Sequence, residues 1–258
     1  MKSSFSLPLV LCTACLVAWF GARPQAFAGP VSPGGVALIP PPLVIPPPHG
    51  SYTLTVCDYN KQYCSGGANT PVSFSRSSSS SQTITDGAST ATGLMDIKPS
   101  PGASAFMKTS EGSSAFVLLT YWFGVTARSG LEPAPVTITA QGKASASATG
   151  QASAYVNVQD SLGRFPALFF YQAVSSGGPS SFSASKKIFI APNTLYAVTL
   201  SIDLTVDEFS GQNSMVGQAA ASVDPIIAID PEYAAGGYRL LLSRNVGNVP
   251  TGRRKRTF

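Results

Sequence analysis

Eleven residues constrain this chain more than any others. In Tyr196–Val206, YAVTLSIDLTV, the side chains Tyr196, Val198, Leu200, Ile202, Leu204 and Val206 share one parity, and Ala197, Thr199, Ser201, Asp203 and Thr205 share the other. Strand side chains alternate faces with period 2, so the stretch reads as a long β-strand with one apolar and one polar face. An apolar strand face of this length needs a second sheet packed over it.

Further segments repeat the pattern. Tyr52, Leu54 and Val56 alternate with Thr53 and Thr55, and Val72–Phe74 and Met95–Ile97 are short strand candidates. Ala115–Val125, AFVLLTYWFGV, is apolar on both parities and reads as a central strand covered on both sides, which assigns Trp122 to the core. Between 136 and 158, alanines alternate with Ser, Thr and Tyr, so small residues line one face and Gly150 marks a bend. Leu168–Val174, Lys187–Ile190, Gly217–Val223, Ile226–Ile229 and a last strand through Tyr238, Leu240 and Leu242 complete the set. Ser75–Thr92 is dominated by Ser and Thr and reads as a loop or weak edge strand. About ten strands, frequent turn signals and no amphipathic helix predict an all-β fold, an antiparallel two-sheet β-sandwich of jelly-roll-like kind.

Residues 1–28 read as a secretory signal peptide: Lys2, an apolar run from Leu7 to Phe20, then Ala26-Phe27-Ala28 as the cleavage site. Residues 29–50 form a proline-rich spacer in which Pro40–Pro42 and Pro46–Pro48 favour extended polyproline II, so the stretch reads as a semi-rigid spacer or as a lead-in lying along the domain. The sandwich is expected over 51–249, with a basic tail at 250–258. No later segment is apolar for long enough to span a bilayer, so the mature chain is expected outside the cell or on the envelope surface.

The formal charge of +5 misleads, because Lys2 and Arg23 leave with the signal and Arg253, Arg254, Lys255 and Arg256 are in the tail. The body is left near −1, with no electrostatic footprint for nucleic acid. Of four cysteines, Cys12 and Cys15 depart with the signal, and Cys57 and Cys64, in CDYNKQYC, are expected to form one disulfide across a hairpin loop.

Catalytic patterns are scarce. The single histidine, His49, lies in the spacer, which removes Ser–His–Asp and Cys–His nucleophile systems. What remains for an enzyme is a carboxylate pair for glycan hydrolysis or elimination, drawn from Asp203, Asp207, Glu208, Asp224, Asp230 and Glu232. Asp224, Asp230 and Glu232 are also candidate calcium ligands, although Asp-Pro pairs equally serve as strand-end caps. No other cofactor is indicated. Aromatics able to stack on sugar rings are Tyr59, Tyr63, Tyr121, Trp122, Tyr155, Tyr171 and Tyr233, with Tyr59 and Tyr63 of the cystine loop the preferred pair.

ASVDPIIAIDPEYAAGGYRLLLSRNVGNVP (221–250), preceded by FIAPNTLYAVTLSIDLTV, resembles the C-terminal half of exported proteins with the PEP-CTERM sorting signal, from biofilm-forming bacteria that make exopolysaccharide. In that family Val-Pro-Glu-Pro, a transmembrane helix and an arginine cluster follow. Here Val249-Pro250 and Arg253–Arg256 stand at the corresponding places, without the Glu-Pro or the helix. The resemblance implies a non-catalytic surface or extracellular-matrix protein in contact with polysaccharide, either released or with its anchor lost. The alternatives are the carboxylate-dependent glycan hydrolase or lyase, and a self-assembling fibre or pilus-like subunit, which would expose an unpaired edge strand.

Overall fold

The long alternating strand sits where its pattern demands, in the middle of a sheet with its apolar side covered. The computed structural model describes residues 43–57, 63–87, 89–109, 112–127, 132–147, 150–161, 167–206 and 217–249, all within the unit Pro40–Phe258. The signal peptide and the basic tail therefore lie outside the described residues.

In chain order the elements are β1 (His49–Cys57), β2 (Cys64–Ser73), β3 (Ser79–Asp86), β4 (Ser89–Asp96), β5 (Gly102–Thr109), β6 (Ser113–Thr126), β7 (Ala134–Ala146), β8 (Gly150–Asp160), β9 (Phe169–Ser175), β10 (Pro179–Ile190), β11 (Leu195–Val206), β12 (Gly217–Ile229), the short helix α1 (Pro231–Ala235) and β13 (Arg239–Leu242). The first sheet has the order β2-β1-β6-β11-β8-β9, with β13 also on β6, and the second has the order β10-β7-β12-β5-β4-β3. β13 takes Phe123–Thr126 of β6, past the stretch that β1 occupies. Pairing is antiparallel, and most connections cross between the sheets. This is the two-sheet sandwich expected, with thirteen strands among the described residues rather than about ten.

The extra strands come from stretches without large apolar residues. The Ser/Thr-rich segment is the β3–β4 hairpin, not a loop, with Thr83 and Thr92 bonded across it at 3.1 Å. Ser and Thr pair well on a pleated surface and leave no hydrophobic alternation to read. The chain crosses sheets between Ala146 and Gly150, where the bend was expected.

Val198, Leu200, Ile202 and Leu204 of β11 are fully buried against a second sheet whose inner face carries Ala103, Ala105, Ala140, Ala144, Ala219 and Ala221. Large residues on one face and small on the other let the sheets approach closely. Gly93 of β4 shows the tightness. A Cβ there would meet the Tyr52 ring at 2.7 Å and Val117 at 2.8 Å. The space it leaves lets Tyr52 cross the core and donate its hydroxyl to the Ser80 carbonyl at 2.5 Å.

Tyr121 is 1% exposed, and its hydroxyl has no partner. Burial pushes the phenol far above its ordinary value. Because an unsatisfied buried hydroxyl costs about 1–3 kcal/mol, Tyr121→Phe is expected to hold or raise stability by about 1 kcal/mol in urea unfolding. A clear loss would mean that the hydroxyl has a partner after all.

Of the proline-rich stretch only 43–50 are among the described residues: 43–48 lead into the first sheet, and His49 and Gly50, which the sequence reading gives to the spacer, open β1. Pro48 is buried, β1 begins at His49, and Leu43 covers Gly124 of β6. Ser243, just past β13, accepts from the Trp122 N–H at 2.8 Å and donates to the Pro46 carbonyl at 2.7 Å.

β12 runs straight through Pro225. The proline is tolerated because β5 pairs only with Gly217–Val223 and leaves no ladder beyond. From there Asn248 takes over: its Oδ1 accepts from the Ile227 N–H at 2.9 Å and its Nδ2 donates to the Ile227 carbonyl. Gly247 and Val249 N–H groups reach the carbonyls of Ile97 and Pro99 at 2.7 and 3.2 Å. Residues 246–249 thus act as a strap between β12 and the end of β4.

Candidate functional site

The first sheet presents an outer face whose side chains follow from strand parity. Its rows can be read from the register. One runs Thr53 (β1), Phe116 (β6), Asp203 (β11), Ser153 (β8), Val174 (β9). The next is Ser51, Leu118, Ser201, Tyr155, Gln172, and the third is His49, Thr120, Thr199, Asn157, Phe170. Trp122 and Ala197 follow.

Aromatic rings recur across this face. Trp122 is not core: it stands half-buried on the outer parity of β6, with the His49 ring at 5.1 Å. The run AFVLLTYWFGV is apolar on both parities because one side fills the core and the other supplies this surface. Tyr155 and Phe170 lie 6.1 Å apart on neighbouring strands, and Phe170 is 50% exposed. Phe116 and Trp122 are six residues apart on β6, so rings span about 20 Å along the strands and about 15 Å across them. Between them stand the hydroxyls of Thr53, Thr120 and Thr199 and the amides of Asn157 and Gln172.

Ser201, on the outward parity of β11, is fully buried and its Oγ has no partner. The same holds for the Asn157 Oδ1, while the Asn157 Nδ2 donates to Gln159 Oε1 at 3.3 Å. Asp203 stays exposed, yet the surrounding sheet removes enough water that desolvation pushes its carboxyl above the ordinary carboxylate range.

Cys57 and Cys64 stand opposite each other in the β1–β2 ladder and are joined by the expected disulfide. Tyr59 lies outside the described residues. Tyr63 is beside Cys64 and 67% exposed, at the far end of the hairpin from His49 and Trp122. Tyr171 stacks toward Phe182 of β10 at 6.0 Å, along the edge where β9 and β10 end their sheets. Tyr233 packs edge-on against Tyr238 at 5.2 Å.

The structure does not bring the calcium candidates together. Asp224 and Asp230 are six residues apart along β12 and its end, about 20 Å in an extended chain, too far to share an ion. Asp230 accepts from Lys187 Nζ at 2.7 Å and caps α1 by accepting from the Glu232 N–H at 3.1 Å. Those two bonds, the lysine first, lower its carboxyl pKa. Glu232 is exposed on α1, and the described residues hold no group of three or more side chains placed to bind a metal. Asp203 and Asp224 point from opposite outer faces of the sandwich, so they form no pair for glycoside hydrolysis. Asp207 and Glu208 lie outside the described residues. No described helix is long and apolar enough to cross a membrane.

No protein-family model matches the chain, and no curated protein matches its sequence. Among solved structures it is similar to TmCBM61 in complex with beta-1,4-galactotriose, at 9% identity and a TM-score of 0.28, over 61% of this chain and 90% of that one. It is also similar to the enzymatically active domain of bacteriophage CBA120 tailspike protein 4, at 13% identity and a TM-score of 0.23, over 70% of this chain and 19% of that one. A third similarity is to carbohydrate-binding modules of the beta-sandwich superfamily, at 9% identity and a TM-score of 0.20, over 72% and 74%. Likeness at this level carries no argument about what this chain does.

Proposed function

We propose that the protein is a non-catalytic, exported β-sandwich that contacts polysaccharide through the outer face of its first sheet. The observation that carries this reading is the set of partly exposed rings, Phe116, Trp122, Tyr155 and Phe170, among threonine hydroxyls and side-chain amides. A sugar ring has an apolar C–H face and a hydroxyl rim. Flat aromatic surface covers the first, and fixed donors and acceptors serve the second. Of the two surfaces the sequence offers, loop aromatics and polar strand faces, this reading takes the strand face. The Cys57–Cys64 disulfide fits an oxidising compartment, and the signal-peptide reading and the PEP-CTERM resemblance supply the address at the envelope or in the matrix.

A second reading has its own observation. Phe170, Tyr171, Val174 and Phe189 are exposed on β9 and β10, the two edge strands on one side of the sandwich. Such an edge favours strand addition by another copy, against which Lys186 and Lys187 on β10 act as guards.

The test is binding of the secreted protein to a panel of bacterial and plant polysaccharides. Trp122→Ala and Tyr155→Ala are each expected to weaken binding about tenfold, since a stacked aromatic contributes about 1 kcal/mol or more. Affinity unchanged in both variants would move the site elsewhere, and concentration-dependent association without polysaccharide binding would favour the edge.

A further inference from the structure

The outer face of the first sheet holds polar groups that the fold itself does not use. Asp203 makes no hydrogen bond or ion pair among the described residues, and desolvation alone accounts for its raised carboxyl. Two residues along the same strand face, the Ser201 Oγ is out of water and unpartnered, and the Asn157 Oδ1 on the neighbouring strand is in the same state. Of the four such buried atoms among the described residues, the other two belong to Gln82 and Tyr121, away from this face. Groups left this way cost stability. Asp203, Ser201 and Asn157 stand in three successive rows of one face, spanning about 14 Å along the strands, and polar groups left unused in this way mark a place for a ligand.

We propose, resting on the polysaccharide reading above, that this face selects an uncharged glycan, with the Asp203 carboxylate accepting hydroxyl hydrogens and Asn157 and Ser201 completing the polar contacts beside Tyr155. Charge decides the class. On the described outward positions of β1, β6, β11, β8 and β9, Asp203 and His49 are the only acid or base beside the Tyr155 phenol, and Arg239 of β13 stands opposite Thr126, ten residues along β6 from the row of Asp203. A carboxylate accepts hydrogen bonds and donates none, so sugar hydroxyls suit it. A uronate or sulfate polymer would instead bring like charge beside an uncompensated anion in poorly hydrated surroundings.

The free protein is less stable for keeping this group. Its folded pKa is raised, so the folded state resists ionisation: the penalty is absent below the ordinary carboxylate range and develops as pH rises through the raised value. Asp203→Asn is therefore expected to raise the denaturation midpoint at neutral pH while weakening binding. Binding by the ionised form falls as pH drops through that raised value. The groups facing Asp203 are Phe116 and Leu118 of β6, Ser153 and Tyr155 of β8, and Ser201 and Thr205 of its own strand. Of these only Tyr155 carries an ionisable side chain.

The experiment takes the neutral polysaccharide that binds best and the same polymer oxidised at its primary alcohols to uronate. Arg253, Arg254, Lys255 and Arg256 are replaced by glutamine in the full chain to remove attraction by the tail. The expected result is binding at least tenfold weaker to the oxidised polymer, and tenfold to a hundredfold weaker for Asp203→Asn and Ser201→Ala, with neither midpoint lowered. Equal binding of both polymers, unaffected by the two substitutions, overturns this inference and leaves the polysaccharide reading standing. Binding of no polymer by the unmutated face overturns both.

Discussion

Leu200→Ala is expected to destabilise the protein by about 3–4 kcal/mol, within the range of about 2–5 kcal/mol measured for leucine truncation in rigid cores. Leu200 is fully buried at the centre of β11, between Leu119 of β6 and Val156 of β8, with the second sheet packed over it. The opposing layer carries Ala103, Ala105, Ala219 and Ala221 beside Met107 and Ile138, and the alanines have no longer side chain to swing into the space. The cavity should therefore persist. Urea unfolding should show a lower midpoint with an unchanged slope. A loss below about 1 kcal/mol would mean that the sheets relax toward each other, contrary to the tight packing inferred at Gly93.

The second large effect belongs to the strap. Asn248→Ala is expected to cost about 2–3 kcal/mol, because it leaves both the N–H and the carbonyl of the buried Ile227 without partners. Asn248→Asp keeps the acceptor and loses the donor, so it should fall between alanine and wild type. Hydrogen exchange should quicken at the Ile227 amide and at Gly247, whose N–H reaches Ile97. Exchange unchanged at Ile227 in Asn248→Ala would show that another group holds that edge.

How much of this was legible in the sequence depended on side-chain size. The alternation of Tyr196–Val206 is enough to assign its faces, and the outward parity of Asp203 and Ser201 with them. Ser79–Asp86 reads only as a loop or weak edge strand, and of Ser89–Asp96 only the end near Met95 reads as strand, because Ser and Thr pair across a hairpin without an apolar signature. Gly102–Thr109 was missed because its inner face uses alanines and a methionine. Trp122 went to the core because its run is apolar on both parities. Only the neighbours of β6 distinguish the inner Tyr121 from the outer Trp122. Tyr63 was singled out for its loop, whereas the aromatic rows arise from strands far apart in sequence that pairing brings together. The Asp-Pro pairs were ambiguous between capping and calcium. Lys187 resolves Asp230 toward capping and pairing, and nothing near position 230 in the sequence announces a lysine on a different strand.

The most direct test of the central claim is a residue-by-residue map of where polysaccharide touches the protein, by NMR shift perturbation during titration with a fragment of the best-binding polymer. Shifts are expected to concentrate on the outward residues of β6, β11, β8 and β9, including the Trp122 indole N–H and the Asn157 side-chain amide. Shifts confined to the Tyr63 hairpin, to the β10 edge or to the basic tail would contradict that claim.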